Sequence, residues 1–317
     1  MKKWSLLSVV FSIILVLAAC GGTAKDEGKS EKASGSSESA EQITVKHKYG
    51  EAVVDKNPKK VVVFDFGILD TLDELGVDVA GVPQATIPKY LAEYADKKYT
   101  NVGSLKEPDF EAVHDLKPDV IFITTRQAEL YDQFAEIAPT VYTDIDYTNY
   151  MPSFEKNMKL VGEIFGKEDQ VAAKLKDIDA TVEKVKSEVT AADQKALIVL
   201  ANEGKVSAYG PSSRFGLIHD VFGFGAADKN IEVSTHGQSV TFEYIMEKNP
   251  DVLFVIDRNV AVGGETSAKQ SVENDLVKKT NAYKNGKIIY LKADTWYLSG
   301  GGLKSVQLMA NEIEAAL

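Results

Sequence analysis

The sequence predicts an α/β fold of two lobes, each a central sheet flanked by helices, joined by a single long backbone helix. Three observations predict it. Continuous apolar runs such as Val61-Val62-Val63-Phe64 read as strands covered on both faces. They alternate with helical stretches along the chain. A stripe at Val171, Leu175, Ile178, Val182, Val185 and Val189, spaced by three and four, marks one buried face of a long helix between the halves.

The first twenty residues read as an address. Lys2 and Lys3 precede an apolar run from Leu6 to Leu17, too short for a comfortable membrane span. Residues 1–19 are therefore expected to be a signal peptide. Cys20, the only cysteine, follows Leu17-Ala18-Ala19 in a lipobox-like tetrapeptide and is the expected lipidation site. Two acyl chains there would meet the two-signal requirement for stable anchoring. Residues 20–43 make the lipidated N-terminus and tether, rich in Ser, Gly, Glu and Lys and too poor in apolar side chains to fold alone.

Residues 44–152 form the expected N-terminal lobe. After the valine run comes a short helix from Asp70 to Leu75 stopped by Gly76, then a strand over Val77–Val82. A helix follows Glu107-Pro108-Asp109, Pro118-Asp119 leads into the strand Val120–Ile123, and Thr140–Tyr142 is a further strand. Residues 153–189 are the linker helices, split at Gly166. About twenty helical residues span roughly 30 Å, long enough to hold two lobes at a nearly fixed separation. Residues 190–317 form the C-terminal lobe, with strands at Ala196–Ala201, Val252–Ile256 and Lys287–Leu291 and helices at Phe215–Phe222, Thr241–Lys248 and from Leu303. The segment Lys117-Pro118-Asp119-Val120-Ile121-Phe122-Ile123 is echoed by Asn249-Pro250-Asp251-Val252-Leu253-Phe254-Val255, and an arginine closely follows each.

Those arginines are the sharpest chemical signal. The chain has three, Arg126, Arg214 and Arg258, against 33 lysines. Arg126 and Arg258 fall just past the carboxyl ends of parallel strands, where open α/β sheets bind ligands. Arg214 lies in the loop Gly210-Pro211-Ser212-Ser213-Arg214-Phe215-Gly216. A guanidinium is always charged and fork-shaped, which suits carboxylate, catecholate or phosphate oxygens. His236 and Tyr297 carry side chains competent to bind Fe(III) or to donate hydrogen bonds. Trp296 and Tyr297, before a triple glycine, read as a strand end presenting aromatic faces to a cleft. Salt bridging to local carboxylates is the alternative use of each arginine, and core packing that of each aromatic residue.

Other classes find little support. Loss of Lys2 and Lys3 with the leader takes the net charge from −11 to −13, unsuited to nucleic acid. The chain has no Gly-x-Ser-x-Gly elbow and no His-Glu-x-x-His. Its four histidines show no paired ligand spacing. An enzyme is not expected, and no intrinsic cofactor.

The lipobox, Pro58-Lys59-Lys60-Val61-Val62-Val63-Phe64-Asp65, Val102-Gly103-Ser104, the arginine loop, Ser234-Thr235-His236-Gly237-Gln238, Val255-Ile256-Asp257-Arg258 and Thr295-Trp296-Tyr297-Leu298-Ser299-Gly300-Gly301-Gly302 together resemble helical-linker periplasmic-type binding proteins for iron siderophores. The likeness runs over essentially the whole chain. It is nearest to catecholate siderophore-binding lipoproteins of Gram-positive bacteria, some of which bind petrobactin, a mixed catecholate–citrate chelator. The resemblance implies a ferric siderophore held between the lobes by Arg126, Arg214 and Arg258, with His236, Trp296 and Tyr297 in the cleft. His236 and Tyr297 would complete the iron's coordination when the chelator supplies fewer than six donors. It implies a monomer on the outer face of the cytoplasmic membrane, delivering cargo to an ABC-type permease and its ATPase, with Glu129 and Glu265 as docking residues. A haem, cobalamin or bare-metal binder of the same fold is the competing reading. A surface-anchored hydrolase or adhesin is a more distant one.

Overall fold

The computed structural model describes residues 41–264 and 267–317. The expected signal peptide, Cys20, most of the expected tether and Glu265 lie outside the described residues. Among those described, no helix is long and apolar enough to cross a membrane.

The described residues open with a hairpin of β1 (Gln42–His47) and β2 (Gly50–Asp55), whose alternating exposed and buried residues give it one face on the core. The valine run becomes β3 (Val61–Val63), buried at every residue. Helix α1 (Phe66–Glu74) starts four residues ahead of the helix read from the sequence, because the Asp65 carboxylate caps it by accepting the Gly67 N–H at 2.8 Å. The strand expected over Val77–Val82 shrinks to β4 (Gly81–Val82). Then come β5 (Thr100–Asn101), α2 (Phe110–Leu116), β6 (Val120–Ile123), α3 (Tyr131–Ala135) and β7 (Thr140–Tyr142). The first sheet runs β5-β4-β3-β6-β7, all parallel.

Helix α4 (Tyr150–Phe165) turns at Gly166, in the left-handed region at φ 60°, into α5 (Glu168–Ala192). The whole apolar stripe from Val171 to Val189 is buried, facing α4 and the last helix of the chain. Each such side chain contributes about 1.5–3 kcal/mol of burial. At 25 residues α5 is roughly 37 Å long, the strut that the spacing predicts.

The second lobe holds β8 (Lys195–Asn202), β9 (Lys205–Tyr209), α6 (Leu217–Asp220), β10 (Gly225–Ala226), β11 (Gln238–Val240), α7 (Phe242–Lys248), β12 (Val252–Asp257), α8 (Arg258–Ala261), α9 (Lys269–Val272), α10 (Asn281–Lys284), β13 (Ile288–Leu291) and α11 (Leu303–Glu314). Its sheet runs β11-β9-β8-β12-β13, with β10 beside the start of β8. The sequence echo has a structural counterpart. Lys117 and Asn249 both end helices in the left-handed region, at φ 50° and 43°. The following aspartates donate equivalent main-chain bonds, Asp119 N–H to Lys60 at 2.9 Å and Asp251 N–H to Lys195 at 2.8 Å. Each then feeds a central parallel strand, β6 beside β3 and β12 beside β8.

The lobes meet closely below the cleft. Thr71 Oγ1 of α1 accepts the Leu303 N–H at 3.0 Å, so α1 caps α11 from the opposite lobe. A methyl group on Gly302 would collide with the Gly67 carbonyl and the Asp70 carboxylate, and one on Gly67 would press on the main chain of Gly301. Only glycine permits this approach. Gly302→Ala is expected to cost about 1–3 kcal/mol of stability as an overpacked site with main-chain neighbours that cannot yield. Urea denaturation checks it, and a midpoint equal to the parent's would refute the close-approach argument.

Candidate ligand cleft

Two strand ends aim two of the arginines. Beyond β6, buried Gln127 accepts the Thr124 N–H at 3.3 Å and donates to the Leu105 carbonyl at 2.5 Å, fixing the turn that carries Arg126. Beyond β12, buried Asp257 accepts the Val260 and Ala268 N–H groups at 3.3 and 2.5 Å, fixing the turn that carries Arg258. The third arginine stands on a loop closed by Ser212 N–H to Asp220 at 2.6 Å and Ser213 Oγ–H to the Gly210 carbonyl at 2.5 Å. A side chain at Gly216 would meet the Ser213 nitrogen at 2.8 Å, so that loop needs its glycine.

All three guanidiniums converge on Tyr297. Its carbonyl accepts from Arg126 at 2.7 Å and from Arg214 at 2.5 Å. Its phenol oxygen accepts from Arg258 Nε at 3.1 Å, while Arg258 also donates to Asn202 Oδ1 at 3.0 Å. The cation centres lie 6.0, 4.4 and 5.9 Å from the ring centroid for Arg126, Arg214 and Arg258. The expected strand end is instead a π-helical turn, Asp294–Ser299. Tyr297 sits in its last residues, where a carbonyl lacks an intrahelical partner, and two arginines supply one.

Charge crowding leaves its mark on ionisation. Burial alone would raise the Tyr297 pKa, but the Arg258 hydrogen bond and the three cations outweigh it and hold the phenol below its ordinary value. Arg126 is open to solvent through the cleft but otherwise enclosed by protein. That enclosure first, and Arg214 second, lowers its pKa. Asp65 moves up because it is buried, against the hydrogen bonds from Gly67 and Thr143 and the pull of Arg126.

Two cavities lie beside the arginines, and Tyr297 lines the second of them. One, of about 260 Å³, is lined by Arg126, Arg214, Asp65, Asp144, Tyr147 and Phe215 among others. The other, of about 240 Å³, is lined by Arg126, Arg258, Lys106, Ser104, Thr86 and Tyr297 among others. Arg126 borders both.

The remaining expected residues fall in different places. Trp296 is only 3 % exposed, beneath the first cavity, and its indole N–H donates to Glu312 of α11 at 2.8 Å. Its ring is packed almost wholly in the core and borders the first cavity with little exposed surface. Burial raises the Glu312 carboxyl, opposed by that same indole bond. His236 is exposed, beside Thr235, which lines the first cavity, and Gly237, packed on the Tyr209 ring. Glu129 is exposed on the turn after β6. Among the described residues no cluster of three His, Cys, Asp or Glu is arranged to hold a metal. The sequence reading missed Asp144, Tyr147 and Tyr150. They follow β7, so the strand-end rule that found Arg126 also applies to them.

Two α/β lobes, a long connecting helix and a cationic cleft at the strand ends define a ligand-capturing protein of the two-lobed class. Residues 61–295 match the model of the periplasmic binding protein family, and the chain belongs to that family. It is 52% identical to the petrobactin-binding protein YclQ of Bacillus subtilis (strain 168), over 100% of this chain and 99% of that one. It is 33% identical to the ferric-anguibactin-binding protein FatB of Vibrio anguillarum (strain ATCC 68554 / 775), over 86% of each. The crystal structure of YclQ aligns with a TM-score of 0.86 at 55% identity, covering 87% of this chain and 98% of that one. That of the periplasmic catecholate-siderophore binding protein VctP of Vibrio cholerae aligns at 0.82 with 36% identity, covering 87% and 100%. These relatives are binding proteins, and the chain is a binding protein and not an enzyme.

Proposed function

We propose that the protein captures an anionic ferric siderophore, of the catecholate or petrobactin type, and hands it to an ABC-type permease driven by its ATPase. The observation that carries the reading is the convergence of the chain's three arginines, drawn from both lobes, on Tyr297. Such a cluster in a partly desolvated cleft is costly without an anion, and a ferric catecholate complex is an anion with flat aromatic faces. The likeness to YclQ over the whole chain supports the same ligand class. Iron arrives inside the chelator as cargo. Tyr297, its phenol acidified by the arginines, and exposed His236 complete the iron's coordination when the chelator leaves positions open. The protein acts as a monomer, anchored outside the cytoplasmic membrane through lipidated Cys20, with Glu129 and Glu265 meeting the permease.

One titration tests the ligand. Trp4 leaves with the leader, so Trp296, beneath the first cavity, is the only tryptophan of the mature chain. Ferric petrobactin is expected to quench its fluorescence saturably, while haem and cobalamin leave it unchanged. A response to haem or cobalamin with none to the ferric siderophore would overturn the assignment.

A further inference from the structure

The two cavities beside the arginines differ in chemistry. On the Arg214 side, Asp65 and Asp144 oppose the two guanidiniums, and the Tyr147 and Phe215 rings form part of the wall. On the Arg258 side, Lys106 adds a third cation and Thr86 and Ser104 add hydroxyls, beside Tyr297 and the aliphatic Leu105, Val262 and Leu298. Among the described residues no carboxylate lines that cavity.

The Arg258 side is also constructed, not merely left over. Ser104 Oγ accepts the Lys106 and Glu107 N–H groups at 3.2 and 2.9 Å, so its own hydrogen remains available for an acceptor in the cavity. Gly103, at φ 93°, has no room for a side chain beside the Glu107 carbonyl, which shapes the turn. Gln127 bonds the Leu105 carbonyl, tying this turn to the one that carries Arg126.

We infer that the cleft reads two different parts of one ligand: the Arg126–Arg258–Lys106 compartment takes a hydroxycarboxylate unit such as citrate, and the Arg214 compartment takes an aromatic ring. Cations with hydroxyl donors match the several oxygens of a hydroxycarboxylate. Balanced charge and aromatic walls match an aromatic ring. The inference rests on the siderophore reading and adds a direction in which the ligand lies.

Two measurements test it. With three arginines in the chain, the side-chain Nε–H region of a nitrogen-15 NMR spectrum holds three resonances to follow. Citrate alone, at millimolar concentration, is expected to shift those of Arg126 and Arg258 and leave that of Arg214 in place. Equal movement of Arg214, or no movement of Arg258, overturns the assignment. In the second, Lys106→Gln alters an exposed side chain and is expected to weaken ferric petrobactin, which carries a citrate unit, by about two- to fivefold. Binding of a hexadentate ferric tris-catecholamide without carboxylates stays unchanged. Equal loss for both ligands, or loss for neither, refutes the division. If the parent binds neither ferric complex, the siderophore reading itself fails, and the citrate titration still decides the subsite.

Discussion

Arg126→Gln is expected to weaken ferric siderophore binding by about ten- to a hundredfold, more than Arg214→Gln or Arg258→Gln. The ranking follows from position. Arg214 lines one cavity and Arg258 the other, but Arg126 borders both and faces whatever part of the ligand lies in either. It is also the only one of the three contributed by the first lobe, so its loss leaves that lobe without a guanidinium on the anion. Glutamine keeps one donor but removes the charge and the fork. The penalty applied is that for removing a charge-assisted contact, about 1.5–3 kcal/mol. Arg126→Lys separates the two contributions: it keeps the charge and loses planar bidentate geometry, and is expected to fall between parent and Gln. Tryptophan quenching gives the dissociation constants. Binding by Arg126→Gln at parental strength would show that the cationic floor is not what holds the ligand.

Much of this site is legible in one dimension, and its limits have physical causes. Arg126 and Arg258 were identifiable because a buried parallel strand announces its end, and that end lies at the ligand edge of the sheet. The linker was identifiable because a buried helix face must repeat its apolar residues every three or four positions, as Val171 to Val189 do. The focus of the arginines was not. Tyr297 receives Arg126 and Arg214 through its carbonyl, and a main-chain acceptor leaves no residue-type signature. The π-helical turn also has no composition of its own, and it sends neighbouring residues to different surroundings. Tyr297 goes to the cleft, while Trp296 goes into the core to meet Glu312, sixteen positions further along the chain. The strands β9 and β11 went unread for a simpler reason. Each is short, and only partly buried along its length, so no period-two pattern stands out.

The second large effect concerns pH and lies where the lobes meet. Asp70 of α1 is fully buried and accepts the Lys304 N–H at 3.1 Å and the Ser305 N–H at 3.2 Å, at the start of α11. The Tyr90 hydroxyl lies 2.9 Å from its Oδ2 and 2.7 Å from Ser299 Oγ. Burial is the main cause of an Asp70 pKa raised to about 7, with the hydrogen bonds from Ser305, Tyr90 and Lys304 opposing it. One proton decides the direction of this chain. With Asp70 ionised, Tyr90 donates to it. With Asp70 protonated, the carboxyl donates to Tyr90, which then donates to Ser299 at the cleft floor. An acid whose pKa is higher folded than unfolded holds its proton more tightly when folded. Its stabilising contribution is full below the unfolded pKa of 3.8 and is lost as pH rises through about 7. The difference amounts to about 4 kcal/mol across that interval. Asp70→Asn is expected to lower stability in the acid range, because its amide nitrogen cannot accept the Ser305 N–H, and to flatten this part of the pH dependence. Unfolding free energies of parent and variant from pH 4 to 8 check the sign. The parent's advantage should shrink steadily as pH rises, and an advantage that grows toward pH 8 would mean that the carboxylate, not the acid, is the form that joins the lobes.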